Sequence, residues 1–471
     1  MGDNSKDQKL PTSRAARSAA LGRVAAGQAL RHAGAKVAMV GRSEEKKRAV
    51  LDRRQAELVT ALVNSLGTMR GAAMKIGQAL SIMDLGILPP ESRQEFQRGL
   101  AKLRDSAPTV AFDKMRAVIE AELGGRLSLH FTEFEQVPIA AASIGQVYRA
   151  RLHDGRDVVV KVQYPGIDKA VRADMKNLAL LLRAMQGLAP AVDIKAVAAE
   201  IVERVEEELD YELEAQNQRK AARLYRKHPF IVVPSVITEL SGQHVLVTEY
   251  FQGIGFEEVK QADQATRDRV GEIIFRFFGS GMLRDRQFSG DPHPGNFLVG
   301  ADGRVAFLDF GLYKFISVEH VEHQLAIQRA MAEDDPAGLL RALADAGFLP
   351  DPTAVTSDEA VPIVRTLLGW MTTDEVVQIT PEMTNEVMMQ SFLSGENFDL
   401  LRQQTVPREQ LVTIRTVAMV MAVLGQLGAT NNWHHIAREW QYGEAPRTAL
   451  GREEAASGWH PGTAVARVSA R

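Results

Sequence analysis

The feature that most constrains the fold is a rigid loop at residues 290–299, GDPHPGNFLV, followed closely by FLDFGL at 307–312. Two prolines remove backbone donors and fix φ, and two glycines break helices and strands, so a loop is predicted here. Apolar runs on both sides would hold this loop against a core. The sequence therefore predicts a loop that presents Asp291 and Asn296 in a fixed geometry, an arrangement suited to metal and phosphate chemistry.

The composition is typical of a soluble or peripheral protein. The 471 residues are enough for about two to three domains. The net charge of -3 gives no indication of nucleic-acid binding, and the absence of cysteine excludes disulfides and cysteine metal sites. The longest apolar run, VAMVMAVLG at 417–425, is too short to span a bilayer, and the N-terminus lacks the apolar core of a secretory signal.

Positive charge is concentrated near the N-terminus, where eleven Lys or Arg and only three acids lie between Arg14 and Arg54. As a helix, SRAARSAALGRVAAGQALRHAG could lie on an anionic membrane surface, each nearby basic charge contributing about 1 kcal/mol. A basic, partly disordered leader or a mitochondrial-type presequence is the alternative, although the early Asp3 and Asp7 argue against a presequence. Residues 1–47 are thus predicted to be a separate basic segment.

Hydrophobic periodicity divides the rest of the chain. Helical spacing over 48–104 and a further helix over 112–125 predict a helical region, 48–127. The period then changes, and HFTEFE, QVYRARL and DVVVKVQY are predicted to be strands, with HDG as a hairpin turn. Two helices at 168–187 and 193–226 and two strands, VVPSVITEL and HVLVTEYF, complete a β-rich region, 128–252.

From residue 253 to 440 the pattern is again mostly helical, apart from the loop and short strands at 288–312. Residues 441–471 are predicted to be a flexible tail. The expected fold is α+β, with a small β-rich lobe followed by a helical lobe.

Lys161 lies in the alternating run VVVKVQ, with Val160 and Val162 on the opposite face. A lysine there is either a solvated edge residue or a buried cation directed at a ligand. Upstream, a run of small residues in PIAAASIGQVYRA could bring backbone N–H groups close to a phosphate, although such runs are also common in packed helices. The residues of this run are Ala140, Ala141, Ala142 and Ser143.

The stretch EEELDYELEAQN at 206–217 is predicted to be an acidic helix. Asp210 and Glu214 are four residues apart and are expected to share a face, with Glu208 well round from both. The helix is either a solvated acidic surface or a source of the carboxylate that positions Lys161 over phosphates.

The spacing of the loop residues points to one chemistry. Asn296 follows Asp291 by five residues, and Asp309 of a literal DFG follows thirteen residues later. In the protein-kinase template the first Asp orients the nucleophile or accepts its proton, while the Asn and the DFG Asp hold Mg²⁺. Mg²⁺ takes oxygen ligands and keeps several waters, so one carboxylate and one amide beside phosphates suffice. The whole set predicts a kinase-like ATP site.

Several motifs together resemble one family. MKIGQALSIM at 74–83 carries a KxGQ motif, AAAS at 140–143 stands where kinases have a glycine-rich loop, and ELDYELEAQN, DPHPGNFLV and LDFG follow. These are similar to the ABC1/UbiB/COQ8 family of atypical kinases, which includes the ADCK and AarF proteins, over residues 55–435. The resemblance implies an atypical protein-kinase-like two-lobed fold with a family-specific N-terminal helical extension.

The resemblance also implies roles for single residues. Lys161 would contact phosphate with Glu214 as its ion-pair partner, Asn296 and Asp309 would hold Mg²⁺, and Asp291 would take the catalytic-loop role. The backbone of the interlobe hinge would meet adenine. The hinge residues are Glu249, Tyr250 and Phe251.

A regulatory extension is implied as well. Lys75, Gly77 and Gln78 would belong to a helical segment that folds over the active site, where Lys75 would reach Glu208 and Asp210. By the same resemblance, alanine in place of the usual glycines at 140–142 implies an altered nucleotide preference and suppressed self-phosphorylation. This agrees with a stiffer phosphate-binding turn, since alanine reaches positive φ less easily than glycine.

The chain departs from ordinary protein kinases in three places. FSGD replaces the usual HRD before the loop, and no APE follows the DFG. After Leu312 a helical run is predicted in place of an activation segment. His293, where a lysine often faces the transferred phosphate, is expected to lock the loop.

Three functions fit this sequence. The first is an ATPase or atypical kinase that supports ubiquinone biosynthesis, acting on isoprenoid lipid precursors at an anionic membrane beside quinone-biosynthesis enzymes. The second is a small-molecule phosphotransferase, and the third is a nucleotide-gated scaffold without catalysis. A homodimer is compatible with the family, and the expected location is the bacterial cytoplasm, peripheral to the inner membrane, or the mitochondrial matrix side in a eukaryote.

Overall fold

The computed structural model describes residues 110–142, 144–172, 175, 206, 209–349, 351, 353, 355–392 and 408–460. These residues form two compact units. The first unit takes the described residues up to Gly155, within Val159–Asp210 and within Gln243–Val245. The second takes Arg156–Val158, Tyr211–Gly242 and the described residues from Leu246 onward.

The predicted helix and strands near the start of the described chain belong to the first unit, except for residues 157 and 158 of the last strand, which belong to the second. These elements are α1 (Phe112–Leu123), β1 (Phe131–Phe134), β2 (Ala140–Ala141), β3 (Gly145–Leu152) and β4 (Asp157–Gln163). In the sheet, β3 lies between β1 and β4, and β2 also pairs with β3. Strand β6 is Val245–Glu249. The expected strands HFTEFE, QVYRARL and DVVVKVQY are confirmed.

Local chemistry explains the ends of these elements. Helix α1 buries Met115 and Ile119, four residues apart, and ends at Gly124, which adopts a left-handed φ of 70°. Gly155, with φ of 88°, makes the turn between β3 and β4. The helix predicted over 112–125 therefore ends at its glycines.

The second unit is mostly helical. Its helices are α2 (Tyr211–Leu224), α3 (Phe256–Val259), α4 (Gln264–Leu283), α5 (Val318–Ala332), α6 (Pro336–Asp345), α7 (Ser357–Thr372), α8 (Pro381–Phe392), α9 (Arg408–Leu427), α10 (Trp433–Gln441) and α11 (Ala449–Ala456). Its short strands are β5 (Ile231–Val232), β7 (Ile254–Gly255), β8 (Gln287–Ser289), β9 (Phe297–Val299), β10 (Val305–Phe307), β11 (Tyr313–Phe315), β12 (Val377–Gln378) and β13 (Thr430–Asn431).

Helix α4 is the centre of this unit's core. Asp263 caps its start by accepting a hydrogen bond from Thr266 N at 2.7 Å. From residue 270 to 283 every side of the helix is buried. Phe275 packs edge-on against Trp370 and Trp433, with ring centroids 5.3 and 5.4 Å away. A helix that is buried on every side has to be surrounded by other elements, as it is here.

Short strands next to this core position the loops. Strands β9 and β10 form an antiparallel hairpin in which Phe297 pairs with Phe307, and β10 lies parallel to β5. Strands β8 and β11 pair so that Ser289 lies opposite Tyr313. The β8–β11 pair holds the start of the loop that follows β8, and the β9–β10 hairpin holds its end.

Two of the expected elements differ in the structure. The expected strand VVPSVITEL is limited to β5 and a single bridge at Val236, followed by a short 3₁₀ turn. Pro234 explains the break, because proline cannot donate to a sheet ladder. The helix expected over 193–226 is interrupted at Leu209 and Asp210, and its described continuous part is α2.

The segment expected to be a flexible tail over 441–471 is packed as far as it is described. Thr448 caps α11 by accepting a hydrogen bond from Gly451 N, and Trp459 is 8% exposed. Arg276 of α4 donates to Thr448 Oγ1 at 2.9 Å, and Arg284 donates to Glu454 at 2.9 Å. Buried arginines require such acceptors, so this segment belongs to the core of the second unit.

Among the described residues, no helix is both long enough and apolar enough to cross a membrane.

Candidate active site

The loop after β8 is held by its own backbone and by β11. Gly290 N donates to Leu312 O at 2.6 Å, and Asp291 N donates to Ser289 Oγ at 3.4 Å. His293 Nδ1 accepts from Gly295 N at 3.0 Å, which caps the 3₁₀ turn Pro294–Asn296. This contact gives His293 a structural part in the loop, as expected from the sequence.

The side chain of Asn296 is held in the loop by one hydrogen bond, and its backbone is held by another. Its Nδ2 donates to Asp291 O at 3.2 Å, and its own N–H donates to His293 O at 2.9 Å. Since Nδ2 is bound to the loop, the carboxamide oxygen of Asn296 points the other way. That oxygen is the atom that a metal ion would use.

The β9–β10 hairpin brings Asn296 and the DFG segment together. Asn296 directly precedes β9 and accepts from Leu308 N at 3.0 Å, just after β10. Asp309 O accepts from Ser289 Oγ at 3.1 Å, and Asp309 Oδ1 accepts from Gly311 N at 3.0 Å. The thirteen-residue spacing between Asn296 and Asp309 is therefore the length of a hairpin.

Helix α2 contributes a buried carboxylate beside the DFG glycine. Glu214 is only 3% exposed. A Cβ built on Gly311 would lie 3.9 Å from Glu214 Oε2 and 3.5 Å from Asp309 Oδ1. Two carboxylates thus converge on one glycine, which is a setting that attracts cations.

The same helix holds the DFG backbone through a residue that sequence reasoning missed. Asn217 is 4% exposed, and its Nδ2 donates to Phe310 O at 3.2 Å. Asn217 lies one helical turn after Glu214, on the same face. Polar residues spaced three apart, as in ELEAQN, were the available signal for a buried polar face.

Asp210 and Glu214, expected to share a helix face, differ in secondary structure and in burial. Helix α2 begins at Tyr211, so Asp210 precedes it and is exposed while Glu214 is buried.

In the first unit, Lys161 follows the predicted alternation. Val158, Val160 and Val162 are fully buried, while Lys161 lies on the other face of β4 and is half-buried. Gly145 is tightly packed against this strand, because an added Cβ would lie 2.1 Å from Val162 O. Strand β4 is therefore held rigidly where Lys161 projects.

The small-residue run is a strand with a tight turn rather than an open loop. Ala140 pairs with Val147, Ala141 pairs with Gln146, and Ala142 N donates to Gly145 O at 2.9 Å. The turn is confined to residues 142–145. Ser143 lies outside the described residues.

The expected hinge follows β6. Glu249 N donates to Ser235 O at 2.9 Å, and Tyr250 N donates to Asp157 O at 3.0 Å. Both of these N–H groups are therefore used within the protein. Phe251 packs close to Gly300, where an added Cβ would lie 3.0 Å from Phe251 Cζ.

The second unit thus brings together four of the expected residues: Glu214, Asp291, Asn296 and Asp309. Lys161, Ala140, Ala141 and Ala142 belong to the first unit. The expected regulatory residues Lys75, Gly77, Gln78 and Glu208 lie outside the described residues.

Comparison with known proteins identifies the family and the fold. The family model for the ABC1 atypical kinase-like domain matches residues 102–343. The mitochondrial atypical kinase COQ8B of Rattus norvegicus is 33% identical over 376 residues, covering 78% of this chain and 69% of the rat protein. The mitochondrial atypical kinase COQ8 of Saccharomyces cerevisiae is 31% identical over 312 residues, covering 66% of this chain and 61% of the yeast protein.

Among solved structures, the complex of Rv3197 with erythromycin from Mycobacterium tuberculosis is similar, with a TM-score of 0.62 and 32% identity. The likeness covers 84% of this chain and 98% of that one. The α+β fold and the DFG-bearing hairpin define an atypical kinase-like protein, so the expected fold class is confirmed. The chain belongs to the ABC1 atypical kinase-like family.

Proposed function

We propose that this protein is a Mg²⁺-dependent atypical kinase or ATPase that uses ATP or ADP as its nucleotide. The observation that carries the proposal is the β9–β10 hairpin, which brings Asn296 next to the DFG segment while Asn296 is bonded to the Asp291 backbone. Family membership supports nucleotide binding in general terms. The reaction itself, with water or another acceptor, is part of the proposal.

The donor set suits Mg²⁺. The carboxamide oxygen of Asn296 and the carboxylate of Asp309 are hard oxygen ligands, and Mg²⁺ completes its shell with waters and phosphate oxygens. When bound, the ion would neutralise charge on the phosphates. Asp291 would orient the attacking hydroxyl or water and accept its proton.

Similarity to the family supports the assignment of roles in nucleotide binding to single residues. Lys161 would contact the phosphates, with the buried carboxylate of Glu214 as its charge partner. The turn after Ala140 and Ala141 would face the phosphates. Because the N–H groups of Glu249 and Tyr250 are engaged, adenine would use the N–H of Phe251 or the carbonyl groups of this segment.

The cellular role proposed is support of ubiquinone biosynthesis, by acting on isoprenoid lipid precursors at a membrane surface beside quinone-biosynthesis enzymes. The similarity to COQ8 atypical kinases supports this role. The basic segment between Arg14 and Arg54 would make the membrane contact.

ATP hydrolysis by the purified full chain tests the proposal. We expect Mg²⁺-dependent turnover that anionic liposomes stimulate and that Asp309→Asn abolishes. Asp309→Asn keeps an oxygen that can accept from Gly311 N, so loss of turnover would not reflect loss of the turn. Asp302→Asn is the matched control, because Asp302 is an exposed carboxylate in the turn of the β9–β10 hairpin.

Two results would contradict the proposal. Equal turnover by the wild type and Asp309→Asn would mean that ATP hydrolysis takes place at a site without Asp309. Nucleotide binding without turnover, with or without liposomes and with either nucleotide, would favour a nucleotide-gated scaffold. Unchanged liposome binding and quinone content after deletion of residues 1–45 would contradict the membrane role alone.

A small-molecule ligand is the second candidate, favoured by the similar structure that contains erythromycin. Incubation with labelled ATP and a panel of small hydroxylated acceptors, followed by mass spectrometry, distinguishes a phosphotransferase from an ATPase. A phosphorylated acceptor formed by the wild type but not by Asp291→Asn would support the phosphotransferase.

A further inference from the structure

Two histidines and an aspartate converge at the start of α10. One ligand atom from each of Asp374, His434 and His435 lies within 4.8 Å of the other two. His435 Nε2 is 2.9 Å from Asp374 Oδ1, and His434 Nδ1 is 3.9 Å from the same oxygen. This cluster belongs entirely to the second unit and contains none of the residues proposed to hold Mg²⁺.

The fold fixes the elements that carry the cluster. Asp374 follows the end of α7, and the short strands β12 and β13 then pair, with Val377 opposite Asn431. Trp433 is fully buried and donates from Nε1 to Val377 O at 2.9 Å. The segment after α7 and the start of α10 are therefore joined rigidly before any ligand is present.

His434 supplies an independent indication of a ligand. Its side chain is only 7% exposed, and its Nδ1 has no hydrogen-bond partner among the described residues. A buried polar atom without a partner costs about 1–3 kcal/mol. His434 Nδ1 lies 3.9 Å from Asp374 Oδ1, so this nitrogen is turned toward the other two side chains of the cluster.

Asp374 is held in place by a further contact. Asn432, the N-cap of α10, accepts from His435 N at 3.0 Å and donates from Nδ2 to Asp374 Oδ1 at 2.7 Å. Residues that orient a ligand through a hydrogen bond are a regular feature of metal sites. Asn432 is thus a positioning residue for this cluster.

The nearby charges do not exclude a cation. Arg447 Nη1 is 3.3 Å from His435 Nε2, but its side chain is half-exposed and also pairs with Glu444 at 3.2 Å. Arg438 is directed to Glu444 as well. Because Arg447 is exposed and has a second partner, it can turn away from His435 at little cost.

We propose that Asp374, His434 and His435 form a binding site for a divalent transition-metal ion. Two imidazoles and one carboxylate are a ligand set that suits Zn²⁺, and water would complete the shell. A bound ion would join the end of α7 to the start of α10. The alternative is a simple ion pair between His435 and Asp374 that binds no metal.

Zn²⁺ titration of the chelator-treated full chain, by calorimetry and by competition with a coloured chelator, tests the site. We expect one Zn²⁺ per wild-type chain and at least about 10-fold weaker binding in Asp374→Ala and His435→Ala. Both residues are partly exposed, so these variants are expected to fold. Zn²⁺ should also raise the melting temperature of the wild type but not of the two variants.

Two controls isolate the cluster. His153→Ala removes an exposed histidine in the first unit and should bind Zn²⁺ as the wild type does. Asp309→Asn should also retain the Zn²⁺ site, which separates this proposal from the nucleotide site. The proposal is overturned if the wild type binds no Zn²⁺ at micromolar concentration, or if Asp374→Ala and His435→Ala bind it as tightly as the wild type.

Discussion

Asn217 donates from its side-chain amide to the carbonyl oxygen of Phe310 at 3.2 Å, although 93 positions separate the two residues. Phe310 is fully buried, and Asn217 lies one helical turn beyond Glu214. The acidic helix therefore does more than present a carboxylate: it also fixes the backbone of the DFG segment. Any change that weakens this bond should alter both stability and the position of Asp309.

Replacing Asn217 with leucine tests this connection. Asn217→Leu keeps a similar volume but leaves the buried Phe310 carbonyl without its donor. We expect the free energy of unfolding to fall by about 1–3 kcal/mol, measured by urea denaturation, and Mg²⁺-dependent nucleotide binding to weaken. Gln216→Leu replaces an exposed carboxamide of the same helix and should leave both quantities nearly unchanged. Equal stabilities for the two variants would contradict a structural role for the Asn217 bond.

We expect Gly145, which packs against the strand that carries Lys161, to tolerate substitution poorly. A Cβ at this position would lie 2.1 Å from Val162 O, and a backbone atom cannot move aside without moving β4. Gly145→Ala should therefore destabilise the protein by roughly 1–3 kcal/mol and lower nucleotide affinity through the displaced strand. Thermal denaturation and nucleotide titration provide the two measurements.

A matched control exists for that glycine. Gly255 also lies in a strand, but a Cβ there would meet nothing within 4 Å. Gly255→Ala should be close to neutral. If Gly145→Ala is as stable as Gly255→Ala, the tight packing of the turn against β4 is not a constraint.

The sequence predicts an element well when the interactions that form it involve residues close together in the chain. Strand β4 was predicted because alternation is visible within seven residues, and the Asn296–Asp309 spacing follows from one hairpin. The predicted hinge and the pairing of Lys161 with Glu214 stay predictions. Local patterns could not reveal that Ala140 and Ala141 pair with β3, since a run of small residues is equally compatible with a turn.

Long-range contacts explain the remaining differences. Helix α11 has few apolar residues, and its place in the core depends on Arg276 and Arg284, which are more than 160 positions away along the chain. The cluster of Asp374 with His434 and His435 likewise depends on a pairing of β12 with β13 that no local period indicates. Such contacts become visible only when the chain is folded.

Trp459 should contribute strongly to stability despite lying near the end of the described chain. It stacks on Tyr225 with ring centroids 5.8 Å apart, and its Nε1 donates to Leu224 O at 3.2 Å. Trp459→Ala should lower the free energy of unfolding by about 3–5 kcal/mol. Trp459→Phe keeps a ring but loses the donor and should cost only about 1–2 kcal/mol. Equal and small effects of both changes would mean that this segment does not belong to the core.

His228 should make the stability of the protein depend on pH. Burial first, and then the charges of Arg284 and Arg276, lower the pKa of His228 to about 3. Glu454 also lies near this ring, but its Oε2 is 3.9 Å from Nε2, beyond hydrogen-bond distance. His228 Nδ1 instead accepts from Phe230 N and Ile231 N, which requires a lone pair on that nitrogen.

The sign of the pH effect follows from this lowered pKa. Below about pH 6.5 the unfolded chain binds a proton at His228, whereas the folded protein does not do so until about pH 3. His228 should therefore make stability fall as pH decreases through this range, by about 1.4 kcal/mol per pH unit. The substitution His228→Asn removes the titration but retains an acceptor for the two backbone N–H groups. Urea denaturation at several pH values gives the slope of the free energy of unfolding against pH. This slope should be smaller for the variant than for the wild type, because the variant's unfolded chain no longer gains that proton. Parallel slopes would show that His228 is protonated in the folded protein.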